Sequence, residues 1–393
     1  MSLWTPALWA AQAALARQPL RIFVASPELW EEICDKDWGY AYHLERWFHR
    51  LLLEHLPATL TNEAESADFV YVPHCAMNVY LAWKQEALSS SDDATRAGAG
   101  AAGDALHGPA RRAAERYLVG VLRRAFGSPA VRSCQARFPG CKLLFALMAF
   151  CRDELPAFHR AAPSAVVITT CGVKTRDLRR QGCACREHCL RQVAGPWDVV
   201  VPWNIAHNSS STQARFAGGT PKRRLLAFFA GANTSCSRSE LVRRWGDAKD
   251  MVIQGRAMAP GAFARHGLGA KFCPVLDGHW PSTQRLPAVV VKGCVPLLIS
   301  NRLRLPWDDL INWTVASLWL SESRIKDLAQ VLRGVSPKQL EDMQRHLPQL
   351  AQALDYHSTC FHVLLLAALA ASPQGDDTRL RSQIVRDLSG LKL

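Results

Sequence analysis

The stretch Lys271–Ser300, KFCPVLDGHWPSTQRLPAVVVKGCVPLLIS, constrains the fold more than any other part of the chain. An apolar run leads into a polar loop. A helix-length segment closed by Gly293 follows, and then a second apolar run led by Val295 and Pro296. That order predicts strand, loop, helix, strand, the repeat unit of a parallel α/β sheet. The loop holds Gly278, Ser282, Thr283 and Arg285. Loops at the carboxyl ends of such strands are where ligands bind, and an arginine beside hydroxyls at a helix start suits a diphosphate. The competing reading is an ordinary crossover with a solvated Arg285. Pro287 fits only a first helical turn, so the helix is expected to start near Leu286 or to kink there.

A second unit of this kind lies upstream. Leu225–Ala230 (LLAFFA) has the length and continuity of a buried parallel strand. Gly231, Ala232, Asn233 and Thr234 form a small polar loop, and Ser237-x-x-Glu240 predicts a capping box opening a helix through Trp245. Arg238 on that helix, with backbone N–H groups near Gly231, makes an anion site. The structural alternative is a cap that stabilises the helix by about 1 kcal/mol. Neither a P-loop nor a dinucleotide fingerprint is present there.

Taken in order, several segments resemble the exostosin-like glycosyltransferases of family 47. They are Ala67–Pro73 (ADFVYVP), Asp198–Pro202 (DVVVP), Leu226–Gly231 with Arg238 and Leu241, Lys271–Cys273 (KFC), Gly293–Pro296 (GCVP), Leu305–Asp309 (LPWDD) and Asn312-Trp313. Order and spacing hold from about Arg21 to Tyr356. The resemblance implies a GT-B-like α/β fold: two facing Rossmann-like domains with parallel sheets and a C-terminal helical tail. The expected boundaries are 1–205 for the acceptor-side domain, 206–356 for the nucleotide-sugar domain and 357–393 for a tail packing back on the first domain.

The resemblance also implies inverting transfer from a UDP-sugar to a glycan hydroxyl. No cofactor is expected beyond that donor, and no metal. Gly231, Arg238, Lys271, Ser282, Thr283 and Arg285 are the expected donor-binding residues, Lys271 the weakest of them. A base is required to take the acceptor proton, and Asp153 and His74 are the candidates. A structural role competes for each: Arg238 pairing with a carboxylate, Lys271 capping a strand end, His74 satisfied in the core. Three departures stand out. The family acid three residues after Arg285 is Ala288, its GGRDH is reduced to Cys151-Arg152-Asp153-Glu154, and the aspartate after the last strand is Asn301. Ala288 favours the alternative reading, a catalytically impaired carbohydrate-binding or scaffold partner.

The chain has 393 residues, enough for two domains, and lysine plus arginine exceed aspartate plus glutamate by 47 − 34 = 13. Nucleic acid is not the expected partner, because helix-turn-helix, finger and aromatic-studded basic patterns are missing. A phosphorylated donor and a glycan acceptor are, with a homo- or hetero-oligomer of related transferases an open alternative. The thirteen cysteines suit a secretory disulfide set, Cys134 with Cys141 and the group Cys183, Cys185 and Cys189 among them, with a zinc cluster at the latter as rival. Cys273 and Cys294 are expected to be buried free thiols, and an odd count leaves one cysteine without an intrachain partner. Asn208, Asn233 and Asn312 open glycosylation triplets, although a glycan at Asn233 would crowd the donor loop. The family implies the Golgi lumen or membrane. The first residues carry no basic leader region and are too short to span.

Overall fold

The computed structural model describes residues 2–25, 30, 32–36, 44–89, 107–137, 140–148, 155–163, 165–170, 198–203, 223–278, 284–300 and 303–371. The described residues fall into two compact units. One comprises 9–169 with 198–199 and 366–371; the other comprises 2–8, 170 and 200–365.

The first unit opens with α1 (Pro6–Arg17), whose larger part lies in it, then β1 (Ile22–Val24) and α2 (Leu44–Arg50), which runs on into a π-helical turn at Leu51–His55. There follow β2 (Phe69–Tyr71), α3 (Ala76–Ser89), α4 (His107–Phe126), α5 (Pro129–Ala136), β3 (Lys142–Leu147), α6 (Pro156–Ala161), β4 (Val166–Thr169) and β5 (Val199–Val200). The sheet order is β1-β2-β3-β4-β5, with β1 to β4 paired in parallel. Strands β2 to β4 are buried along their whole length, which is why they read as continuous apolar runs.

The second unit holds β6 (Leu225–Ala230), α7 (Cys236–Trp245), β7 (Met251–Gln254), α8 (Pro260–Gly269), β8 (Ala270–Leu276), α9 (Arg285–Val290), β9 (Val295–Ile299) and β10 (Leu318–Leu320). It ends in α10 (Leu328–Arg333), α11 (Pro337–Ala353) and most of α12 (Thr359–Ala371). Its sheet is parallel throughout, in the order β10-β9-β8-β6-β7. The chain therefore leaves β6 towards β7 on one side and returns to β8 on the other. The strand order reverses between β6 and β8, the place where open α/β sheets bind ligands. The register of these two strands runs from Leu225 opposite Ala270 to Ala227 opposite Phe272. Beyond it stands Pro274, which has no N–H to extend a ladder.

Two parallel sheets with helices are the α/β class expected. Local expectations moved by one to several residues. The helix expected near Leu286 starts at Arg285, so Pro287 sits in the first turn, where a missing N–H costs nothing. Ahead of α10 the chain makes a 3₁₀ turn at Glu322–Asp327. The tail beyond Ala371 lies outside the described residues. No helix among the described residues is long and apolar enough to cross a membrane.

One cysteine expectation is overturned. Cys273 and Cys294 are not free thiols; they form a disulfide between β8 and the residue before β9, their Cα atoms 5.9 Å apart. Both lie in apolar surroundings, as expected, but Cys273 is registered opposite Pro296, which brings Cys294 within bonding reach. Cys134 and Cys141 pair as their spacing suggests, Cys34 pairs with Cys75, and Cys360 is a free thiol. Cys183, Cys185 and Cys189 lie outside the described residues.

Candidate functional site

The residues after β6 and β8 build the site. Strand β6 delivers Phe229 and Ala230 and then Gly231. Helix α7 starts five residues on, and its N-cap is Ser235, whose hydroxyl accepts from the Arg238 N–H at 3.4 Å. This corrects the expected Ser237–Glu240 box. Ser237 instead donates to Glu322 at 3.0 Å, and Glu240 is held by Arg243 at 2.9 Å and by Arg244. Ser235 also donates to the Asp277 carbonyl at 3.1 Å, so one serine ties the loop after β6 to the loop after β8.

Arg238 completes that tie. Its Nη1 donates to the Ala232 carbonyl at 3.2 Å and to Thr234 Oγ1 at 3.1 Å, and its Nη2 donates to the Leu276 carbonyl at 3.2 Å. Arg285, at the start of α9, donates to the Ala230 carbonyl. The two guanidiniums share one aromatic platform, Phe229, with their central carbons 4.3 Å (Arg285) and 5.9 Å (Arg238) from the ring centroid. Phe263 of α8 offers Arg285 a second ring at 5.6 Å. Such cation–π contacts grow in strength as the cation loses water.

Glycine at 231 follows from this packing. A Cβ there would stand 2.8 Å from Arg285 Nη2 and 3.9 Å from Arg238 Nη1. At Gly278 a Cβ would stand 3.3 Å from Arg238 Nη2. The backbone thus approaches both cations as side chains could not.

The electrostatics are those of desolvated positive charge. Burial first, and Arg238 second, pull Arg285 down to about 9, and it is only 9% exposed. It still carries its charge at neutral pH. Burial also lowers Arg238, while Asp277 raises it. The Arg238 Nε is buried and makes no hydrogen bond among the described residues. Asp277 was not anticipated from the sequence. It follows the apolar run of β8 directly, is 5% exposed, and is the carboxylate acting on Arg238. Two cations and one nearby carboxylate out of water form a site that an anion would stabilise.

The other expected site residues are placed differently. Gly231 belongs to the cluster, yet its N–H is already donated to the Gln254 carbonyl at 3.2 Å. Lys271 lies at the amino end of β8, next to Ala270, which is registered opposite Leu225. It is therefore separated from the cluster by most of the strand's length. Ser282, Thr283, Asp153 and Asn301 lie outside the described residues. Ala288 stands half-exposed on α9, one turn after Arg285, and its carbonyl accepts from Lys292 at 2.9 Å.

His74, in the first unit, is 1% exposed and packs beside Phe145 with ring centroids 5.7 Å apart. Its Nδ1 accepts the Ala76 N–H at 3.4 Å, at the start of α3. Burial holds the imidazole at about 3, so it is neutral and has little appetite for a proton. Its role in this structure is to cap α3. The same unit holds a buried carboxyl that sequence reading missed. Glu45 accepts from the N–H groups of Met77 (3.0 and 3.2 Å) and Met148 (3.4 Å), at the start of α3 and just past the end of β3. Burial drives it up to about 8 against the pull of those donors. Its signal, a lone Glu between Leu44 and Arg46, does not differ from that of a solvated helix residue.

Comparison with known proteins finds similarity over much of the second unit's sequence. The exostosin GT47 domain matches residues 184–335, which contain β6 to β10 and both arginines. A probable glycosyltransferase of Arabidopsis thaliana is 28% identical over 176 residues, 43% of this chain and 34% of the relative. A probable glucuronoxylan glucuronosyltransferase of the same plant is 25% identical over 219 residues, 52% of this chain and 43% of the relative. Exostosin-2 of Homo sapiens is 34% identical over 76 residues, 19% of this chain and 11% of the relative. The chain thus spans less than half the length of these relatives. Residues 184–335 match the exostosin GT47 domain, and over this stretch the chain is similar to the exostosin-like family 47.

Proposed function

We propose that the protein transfers a sugar from a UDP-sugar to a glycan hydroxyl with inversion at the anomeric carbon. One observation carries this reading: Arg238 and Arg285 share the Phe229 ring beside the carboxyl ends of β6 and β8, where the strand order reverses. A diphosphate at that place gains two desolvated guanidiniums, and the same charges stabilise the leaving group as the glycosidic bond breaks. Bond cleavage leaves UDP with the added negative charge, and the acceptor oxygen attacks the opposite face as its proton passes to a base. The chemistry asks for a base working near neutral pH. His74, buried and neutral, does not meet that requirement, and Asp153 remains the proposed base. No metal or further cofactor enters this proposal. The proposed location is the Golgi, where an oxidising lumen would sustain disulfides such as Cys34–Cys75, Cys134–Cys141 and Cys273–Cys294.

Ala288 supports a second reading, a sugar-binding or scaffold partner on the same frame. With no oxygen at that position, a donor ribose finds no carboxylate on α9. Calorimetry with UDP and UDP-sugars, followed by product analysis of the anomeric configuration, tests both. UDP binding with slow turnover supports the transferase, and Ala288→Glu should then tighten donor binding. A folded protein that binds no UDP favours the scaffold.

A further inference from the structure

A ribose presents two neighbouring hydroxyls, and a carboxylate, which only accepts, can take both at once. Position 288, one turn after Arg285 on α9, is an alanine and offers the proposed donor no such group. A carboxylate for those hydroxyls must come from another part of the crevice.

Strands β6, β8 and β10 belong to one parallel sheet, so their carboxyl ends lie on one rim. The segments that follow them carry Glu240, Asp277, Glu322 and Asp327. Asp277 is 5% exposed and acts on Arg238. Glu240 is held by Arg243 at 2.9 Å and by Arg244, and Asp327 by Arg324 at 3.2 Å. Glu322 differs in its place: it accepts from Ser237 Oγ at 3.0 Å, and Ser237 is the residue before Arg238.

Helix α7 fixes Glu322 there. The 3₁₀ turn that Glu322 opens is bonded to α7 near both of the helix's ends. Ser237 holds Glu322 itself, and Trp245 Nε1 donates to the Ile325 carbonyl at 2.8 Å. Ile325 is buried and anchors the turn. These ties restrict the Glu322 side chain before a ligand arrives, which lowers the ordering cost of binding. The residue is only half-buried, and a carboxylate has about four acceptor sites, more than one serine fills.

Consecutive residues at the start of α7 thus serve two ends of one ligand. Arg238 reaches the Ala232 and Leu276 carbonyls, where the diphosphate is proposed to sit, and Ser237 reaches a carboxylate. In a nucleoside diphosphate the ribose is bonded directly to the diphosphate, so its hydroxyls fall close to whatever binds the phosphates. We propose that Glu322 binds the ribose hydroxyls of the donor, the part that Ala288 leaves unfilled, and that Ser237 is the positioning residue that aims it. The inference rests on the donor reading of the crevice. It extends that reading to an acid that no local pattern marks, two residues past the edge strand β10.

The test uses the full chain and calorimetry with UDP, 2′,3′-dideoxyuridine diphosphate and inorganic pyrophosphate. The wild-type protein should bind UDP about tenfold more tightly than the dideoxy compound. Glu322→Gln, which keeps an acceptor for Ser237, should remove most of that preference and leave pyrophosphate affinity unchanged. Ser237→Ala should remove part of it. Adding Ala288→Glu to Glu322→Gln should restore the preference, a rescue that a merely structural Glu322 would not allow. Arg285→Lys should weaken all three probes and keep the preference. A preference that Glu322→Gln does not move overturns the assignment. So does a Glu322→Gln protein that loses pyrophosphate and UDP affinity alike, because that pattern marks a structural role. Wild-type protein that binds UDP and the dideoxy compound equally overturns it too, and leaves the donor crevice standing. Wild-type protein that binds none of the three probes overturns the donor reading and this inference with it.

Discussion

At the scale of single residues, burial decides which titratable groups can work. Arg285 is cationic, nearly enclosed and stacked on Phe229. Arg285→Ala should remove about 2–4 kcal/mol of transition-state stabilisation, read as a loss in kcat/KM for the UDP-sugar. Arg285→Lys keeps the charge but not the planar stack, so it should recover only part; an unchanged rate in the alanine variant would take Arg285 out of the chemistry. His74 and Glu45 make a paired prediction about pH. Folding lowers His74 from 6.5 to about 3, so the unfolded chain binds its proton first and the stability it contributes is lost as pH falls below about 6.5. Folding raises Glu45 from 4.5 to about 8, so its contribution is full below about 4.5 and fades as pH climbs to about 8. The two slopes oppose each other between 4.5 and 6.5. Urea midpoints measured against pH should lose their acid limb in His74→Gln and their alkaline limb in Glu45→Gln. A profile with both limbs kept in both variants would contradict the assignment.

At the scale of elements, the ends of α7 and α9 set the crevice. Gly293 has φ 66°, in the left-handed region. Its N–H donates to the Val290 carbonyl at 2.8 Å, while the Cys294 N–H donates to Val289 at 3.2 Å, the two bonds of a Schellman close. Gly293→Ala should destabilise the second unit by about 1 kcal/mol, because a Cβ is strained at that φ. Ser235→Ala should cost a similar amount, about 1 kcal/mol, through loss of the α7 cap. Only the second substitution also cuts the tie to Asp277, so it alone should weaken UDP binding as well as lower the chemical denaturation midpoint. These ends were partly legible. The Gly293 close was plain from a glycine after an apolar helical run. The α7 cap was misplaced by two residues, because Ser235 and Ser237 are both N-cap residue types and only Ser237 has a glutamate three residues on. Which serine caps depends on the neighbouring loop and on Glu322, 85 residues away.

At the scale of the whole molecule, three disulfides among the described residues each lie within one unit. Cys34–Cys75 and Cys134–Cys141 lie in the first unit and Cys273–Cys294 in the second. Closing a 21-residue span is worth about 3 kcal/mol in the chain-entropy account. Replacing Cys273 and Cys294 together by alanine should lower the melting temperature of the second unit by about 6–12 °C. Scanning calorimetry would show it as movement of one transition, and an unmoved transition would mean that the bond stabilises nothing there. The first unit should melt as before, since Cys34–Cys75 and Cys134–Cys141 are untouched.

The amino-acid sequence alone determined the α/β class, the buried strands β6, β8 and β9, and the position of a cation shortly after each of two strands. These are local facts: an apolar run of strand length, a turn residue and a helix start lie within a few residues of one another, and short-range sterics and burial act on them directly. Tertiary structure alone decided that β6 and β8 are neighbours where the strand order reverses, and so that Arg238 and Arg285 meet over Phe229. It also decided that Asp277 joins them, that Lys271 falls at the far end of its strand, that Cys273 reaches Cys294, and that His74 is sealed from water. Each of these depends on contacts between segments distant in the chain. Charge, reactivity and proton affinity follow the environment those contacts create, and periodicity carries no record of it.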